Sequence, residues 1–447
     1  MLPKIAIMNV PMKDNWVTNS MPSNMEKDIE KLAGSRSTPQ TYRKHTSKNR
    51  PLASKERPID LSQWMSRIED HAPLSSLTLP GTHDSCAYTS TFPFIATQTL
   101  SIRRQLAAGI RYFDFRCGLR DNVVEMCHGI RFLGLTFSSV LRVMYRFLAK
   151  HPSEALIVQI KRDRGSQRST VDFATGVSDL ISKHAERWRT ANTPFTLGEL
   201  RGRIQLFRRF TFPSVSPDPS NPDAEPEKIA YGIDVTSWQD NPSTPFTICT
   251  SHSTQLTIQD HYNFPFGTPL PSLIEGKGAD IAELLVLAEK CKDPGHWFIN
   301  FTSAFEFNLR YQIPPHPIAV GGRWWGEWVE GVNVRLRAWL WEREERREKG
   351  KGRLGIVAMD FPEQGSVDLI QALVWTNFER EDEEEGGLGL GLDVRWFAVA
   401  GLLVLLVWFL WRHFFTVFIG TWSTCSPDGL GRWSKPVGVS FAVGIRG

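Results

Sequence analysis

The sequence predicts an α/β chain with a largely parallel sheet, closed as an irregular (β/α)8 barrel. Strand-like and helix-like runs alternate from Asp60 to Asn377. In run after run, the polar member of a same-face pair stands at the C-terminal end, where such a barrel gathers its active site. More separate strands contribute than one crevice of an open doubly wound sheet would use. At 447 residues with 41% hydrophobic content, one barrel-sized core plus tails is the economical arrangement.

Residues 1–57, rich in Ser, Thr, Asn, Pro and Lys, read as a flexible, disordered tail, and the opening MLPKIAIMNV is too short and interrupted for a secretory segment. The barrel is expected over 58–378. Leu74–Leu79 leads into the motif LPGTHDS, and Ser101–Gly109 carries a Ser N-cap and a closing Gly, the mark of a short helix. Then come the strand runs IRYFDFR and VVEMCHG, a helix over Phe137–Lys150, the strand run ALIVQIKRD, and a helix over Thr170–Thr190. RIQLFRRF and LTIQDHY follow, with a proline-rich insertion, Phe212–Glu227, between them. A helix around Asp280–Lys290, the run WFINFTS, a helix over Trp325–Lys349 and the run GIVAMDF complete the series.

Parity places Asp114 with Arg116, Met126 with His128, Gln159 with Lys161, Phe207 with Arg209, Asp260 with Tyr262 and Ala358 with Asp360 on common faces. Parity alone leaves Arg208 in competition with Arg209. Two histidines, His83 beside Asp84 and His128 before a glycine, stand with Asp114 and Arg116 near strand ends. Two imidazoles in opposite protonation states and one fixed guanidinium are what in-line attack on a phosphodiester requires. Any one of these histidines alone would more often be structural. The cluster Trp324, Trp325, Trp328, Trp339 and Trp341 is expected chiefly to be helix core.

LPGTHDS, IRYFDFR, the His-Gly after it, the lysine of IVQIKRD, the Arg-Arg of RIQLFRR, QDHY, FINFTS and the aspartate of GIVAMDF occur in one order from about Asp60 to Asp368. Together they resemble the bacterial-type phosphatidylinositol-specific phospholipase C family, a metal-independent (β/α)8 barrel. The resemblance implies cleavage of phosphatidylinositol or a related inositol lipid to diacylglycerol and inositol 1,2-cyclic phosphate. It gives His83 the part of general base with Asp360 as its orienting carboxylate, and His128 that of general acid with Asp84 as its partner. It also makes Arg116 the phosphate-binding cation, Asp114 a supporting carboxylate, and Lys161, Arg209, Asp260 and Tyr262 the holders of the inositol ring. No cofactor and no metal are expected. Calcium-dependent relatives of the barrel carry acidic residues where FDFR places Arg116, and a cation needs several such oxygens.

The formal charge of +4 is small for the length, and no basic run is interleaved with aromatics, so nucleic acid is excluded as a partner. A membrane-borne lipid is the expected substrate and a monomer the expected state. Six cysteines lack metal-ligand spacing and read as reduced intracellular thiols. An acidic, glycine-rich linker over 379–393 precedes the apolar run WFAVAGLLVLLVWFLW, so 394–420 is expected to be a hydrophobic helix anchoring the protein to a membrane, followed by an unstructured tail over 421–447. Two other functions fit the same residues less well. One is a tethered inositol-lipid binding module without turnover, which would not need both histidines; the other is a metal-dependent glycerophosphodiesterase-like enzyme, which would need an acidic metal constellation.

Overall fold

The computed structural model describes residues 59–212, 231–250, 254–307, 311–346, 352–366 and 368–378. All of them belong to the first of two units, Met1–Arg380 and Glu381–Gly447. The expected tail 1–57, linker 379–393, anchor 394–420 and tail 421–447, with residues 213–227 of the proline-rich insertion, lie outside the described residues. No described helix is long and apolar enough to cross a membrane.

In chain order the strands are β1 (Leu79–Thr82), β2 (Tyr112–Arg120), β3 (Val123–His128), β4 (Arg131–Thr136), β5 (Leu156–Arg162), β6 (Trp188–Arg189), β7 (Ile204–Arg209) and β8 (Ile233–Asp234). They continue as β9 (Phe246–Cys249), β10 (Gln255–Gln259), β11 (Trp297–Phe301), β12 (Glu306–Phe307), β13 (Gln312–Ile313), β14 (Gly321–Trp324), β15 (Glu327–Glu330) and β16 (Ile356–Met359). The main sheet runs β6–β7–β5–β2–β1–β16–β11–β10–β9, with β8 pairing the end of β7. From β8 through β7, β5, β2, β1, β16 and β11 to β10 every pairing is parallel. β11 and β16 are buried along their whole length, as strands covered on both faces must be.

The sheet curls. Leu79, Tyr112, Ile157, Phe207, Ile233, Ile258, Ile299 and Ala358, from eight strands, pack into a single cluster on its concave side. Among the described residues no strand pairing joins β8 to β9 or β10. Trp238 fills this seam, packed edge-on against Phe246 and Phe301. Helices cover the convex side, and their buried faces form a second cluster with the outward residues of the strands. The local chemistry fits: Thr136 and Asp172 cap the helices Phe137–Lys150 and Phe173–Ser182. The turn Thr196–Glu199 is a reciprocal capping box.

Several expected elements are displaced. The first strand is LPGT itself, and Leu74–Ser76 is a 3-10 turn. VVEMCHG is antiparallel to β2 and forms a hairpin with the unforeseen β4, so His128 comes from an excursion on the sheet rather than a barrel strand. The helix expected over Thr170–Thr190 covers Phe173–Ser182, and β6 takes its end because Trp188 and Arg189 pair with β7. The helix around Asp280 starts earlier, at Leu270, where Pro269 and Pro271 suit a first turn. The span Trp325–Lys349 opens with β15, which forms a hairpin with the preceding β14, and only then enters a helix, Val332–Arg346. Gly331 explains the break: a Cβ there would lie 2.4 Å from Gly321 N. The tryptophans divide with it, Trp339 being buried while Trp325 is 87% and Trp328 63% exposed.

Candidate active site

The C-terminal ends of the parallel strands surround a cavity of about 480 Å³. Its floor begins where β1 ends. His83 N still bonds Met359 O of β16 at 3.0 Å, continuing the ladder, and Asp84 then turns the chain with φ of 41°. Aspartate tolerates that left-handed conformation better than most residues. Thr82 Oγ1, within 2.8 Å of both Ser85 Oγ and Gln105 Oε1, ties the turn from below. His83 therefore lines the cavity, while Asp84 lies buried beneath it.

Asp360, one residue past β16, accepts from His83 Nδ1 at 2.8 Å. On the other side of the ring, Arg116 Nη2 lies 2.9 Å from Nε2. A guanidinium only donates, so this contact belongs to the neutral His83 present above its pKa, with the lone pair on Nε2, the form of a general base. Burial works against a charge on His83, yet Asp84 and Asp360 outweigh burial and raise its pKa to about 9, with Arg116 opposing them. His128 is oriented differently: Nδ1 is 2.9 Å from the Ile95 carbonyl, an acceptor, so Nδ1 carries hydrogen. Its Nε2 is 3.3 Å from Asp84 Oδ2.

Asp84 is the hub of the cluster. Its Oδ1 is 2.6 Å from Arg116 Nε, and its Oδ2 is 3.3 Å from both histidines. Burial would raise its pKa, but Arg116, His128 and His83 together hold it down at about 2. Asp360 has no such arginine contact, and burial carries it above the ordinary carboxylate value, with His83 limiting the rise. Asp114 lies behind the cavity, accepting from Asp84 N at 3.2 Å and Gln159 Nε2 at 2.9 Å, with Arg116 Nε 3.8 Å away. Its place is that of a support for the Asp84 turn.

His83, Asp84 and Asp114 bring possible metal-ligating atoms within 4.8 Å of one another. Arg116 already stands among them, against all three. A divalent ion would have to displace that guanidinium and then meet two carboxylates and one imidazole.

The expected ring-holding residues also reach the cavity. Lys161, Arg209, Asp260 and Tyr262 all line the cavity. Arg208 points away from it, bonded to Tyr231 O, Phe210 O and Asp234, which resolves the competition in favour of Arg209. The Arg209 guanidinium lies 4.3 Å over the Trp238 ring, whose Nε1 donates to Asp260 Oδ2 at 2.8 Å. Burial raises the Asp260 pKa and lowers that of Arg209, each opposing the other's shift. Tyr262 donates to Asp240 at 2.8 Å and stacks on Phe305, centroids 5.9 Å apart. Lys161 pairs with Asp163 at 3.0 Å, and Asp163 accepts from Gly129 N at 2.8 Å, fixing the backbone next to His128. The sequence reading missed Trp238, Asp240 and Asp163. Asp163 closes the run IVQIKRD and was within reach of the strand pattern. Trp238 and Asp240 sit in a loop where no periodicity marks them.

The outer rim is apolar. Phe92, Phe94, Phe305 and Phe307 line the mouth, with Phe94 edge-on to Phe307 at 5.0 Å. Phe92 is 53% and Phe307 64% exposed.

Residues 71–210 match the family described as phosphatidylinositol-specific phospholipase C, X domain. The 1-phosphatidylinositol phosphodiesterase of Listeria monocytogenes is 36% identical over 334 residues, which cover 72% of this chain and 87% of the relative. A crystal structure of phosphatidylinositol-specific phospholipase C from the same organism aligns with a TM-score of 0.51 and 25% identity, over 72% of this chain and all of that one. A pentafluoro-phenylalanine form of the Staphylococcus aureus phospholipase shares the fold at a TM-score of 0.57 and 20% identity, over 71% of this chain and 98% of that one.

Proposed function

This chain belongs to the phosphatidylinositol-specific phospholipase C family, and from that membership and the contents of the cavity we propose that it is a metal-independent phosphodiesterase cleaving phosphatidylinositol to diacylglycerol and inositol 1,2-cyclic phosphate. One observation carries the reading: His83 and His128 flank a single Arg116–Asp84 ion pair in one cavity, each imidazole with its outer nitrogen already assigned.

His83 Nε2 takes the proton of the inositol 2-hydroxyl, and the freed oxygen attacks phosphorus. His128 Nε2 gives its proton to the glycerol oxygen as that bond breaks. Arg116 turns from His83 toward the non-bridging oxygens and stabilises the charge that develops there. Asp360 holds the His83 ring and the imidazolium formed on it. Because the nucleophile belongs to the substrate, cyclisation needs no further positioning. Lys161, Arg209, Asp260 and Tyr262 hold the ring, Tyr262 offering its face to the sugar. Arg116 fills the place a metal would take, and catalysis proceeds without one.

The curled sheet is read as an irregular (β/α)8 barrel left open at the Trp238 seam. The exposed aromatics at the mouth suit a protein working at a lipid surface. Residues 394–420 are assigned as the membrane anchor and 379–393 as its tether. The function is tested by phosphorus NMR of phosphatidylinositol micelles with the purified full-length protein in excess chelator. Appearance of the cyclic phosphate supports the reading. Binding without turnover would replace it with the lipid-binding module, and turnover only after calcium is restored would replace it with a metal-dependent enzyme.

A further inference from the structure

Behind the wall that carries Asp260 lies a buried cation with no part in the cleavage steps. Lys277 sits within the helix Leu270–Lys290 and is fully buried. Its Nζ donates to Gln259 Oε1 at 2.9 Å and to the His261 carbonyl at 2.8 Å, so one ammonium grips the residues on either side of Asp260. Gln259 Oε1 also accepts from His261 N at 2.9 Å, and its amide nitrogen donates to Asn300 Oδ1 at 3.0 Å and Phe301 O at 3.1 Å. Asn300 returns to the helix at Ile281 O, 2.9 Å away. The helix, β10 and β11 are thus joined by one polar network directly behind the ring-binding wall.

A lysine is a costly way to pack a helix on a sheet, because an apolar side chain of its size avoids desolvating a charge. Its surroundings explain the charge. The groups facing it are Asp280 on its own helix, which bonds His261 Nδ1 at 2.9 Å, Asp260 on the β10 side and Asp360 past β16. Burial lowers the Lys277 pKa to about 8, with these three carboxylates opposing.

We propose that Lys277 is a positioning residue for head-group recognition: its ammonium clamps Gln259 and His261 so that Asp260 and Tyr262 face the inositol ring. This rests on the phosphodiesterase reading and deepens it.

The full-length protein carrying Lys277→Met or Lys277→Gln is assayed on phosphatidylinositol in detergent micelles, with myo-inositol as competitive inhibitor and circular dichroism melting as the check of fold. Lys277→Met is expected to raise KM roughly tenfold and weaken myo-inositol inhibition by a similar factor, while kcat falls less than about threefold. Lys277→Gln, which keeps a donor but not the charge, should recover part of both losses. A lysine that served only stability would lower the melting temperature and the active fraction with KM and the inhibition constant unchanged, and that result overturns the proposal. Should Lys277→Met not fold, Gln259→Leu removes one side of the clamp and must raise KM in the same way; an unchanged KM there overturns it equally. Absence of turnover by the wild-type protein would instead refute the phosphodiesterase reading.

Discussion

Arg111 and Arg116 lie five positions apart in one motif, and both are held among carboxylates or carbonyls, yet they do opposite work. Arg111 is fully buried, its guanidinium on Glu154 and on four backbone carbonyls, so every donor is used by the fold. Arg116 meets His83 and Asp84 at a cavity wall, where a substrate oxygen can replace the imidazole. Its fork cannot be imitated by a point charge. Arg116→Lys is therefore expected to reduce kcat by roughly 10²-fold or more, while excess chelator leaves the wild-type rate unchanged, both measured on phosphatidylinositol micelles. His83→Ala and His128→Ala should each lower kcat by roughly 10²–10⁴-fold, with melting curves close to the wild type. The carboxylate behind the base gives a directional test. The base must be neutral to act, and Asp84 and Asp360 hold its pKa at about 9, so kcat/KM should rise with pH toward that value. Asp360→Asn removes one of the two charges that favour the imidazolium, and the rising limb should move to lower pH even as the maximal rate falls. A limb that stays in place would mean that Asp360 does not govern the titration of His83.

At the scale of elements, the sequence was legible wherever a short periodic run was buried on both faces. β5, β7, β11 and β16 stand where the apolar runs placed them, and Lys161, Arg209 and Asp360 reach the cavity from the ends of three of them. Legibility failed where tertiary pairing overrode local pattern. VVEMCHG reads like any strand, and only its partner makes it antiparallel; Trp188 and Arg189 read as the end of a helix until β7 captures them. The ring-binding wall was half readable for the same reason: Arg209, Asp260 and Tyr262 follow strands, whereas Trp238 and Asp240 follow none. Glycine in LPGTHDS has a reason that no local pattern contains. A Cβ on Gly81 would stand 2.8 Å from Tyr112 Cδ1, its register partner where β1 pairs with β2. Gly81→Ala should therefore cost about 1–3 kcal/mol by denaturant titration, since the ring belongs to a packed interior and has little room to yield. A loss under a few tenths of that range would show that Tyr112 moves freely.

At the scale of the whole molecule, the part from Asp60 to Phe378 contains the cavity, the two main clusters of core residues and every described site residue. A chain ending at Phe378 is expected to fold, to lose association with membranes and to keep its rate on micellar substrate. The full chain should resist carbonate extraction from membranes, and its release into the supernatant would refute the anchor assigned to 394–420. One detail of the fold sets terms for that anchor. Asn377 is stapled to Thr78, accepting from its N–H at 2.7 Å and donating to its carbonyl at 2.9 Å, so the chain leaves the barrel beside the entrance to β1. The mouth is at the other end of that strand, roughly 16 Å away at about 3.3 Å per residue. A random coil as long as the tether proposed over 379–393 spans only roughly 20 Å on average. Under the anchoring proposed for 394–420, spacer length becomes a throttle: trimming it should starve the enzyme of lipid in its own membrane while leaving its appetite for dispersed micelles intact.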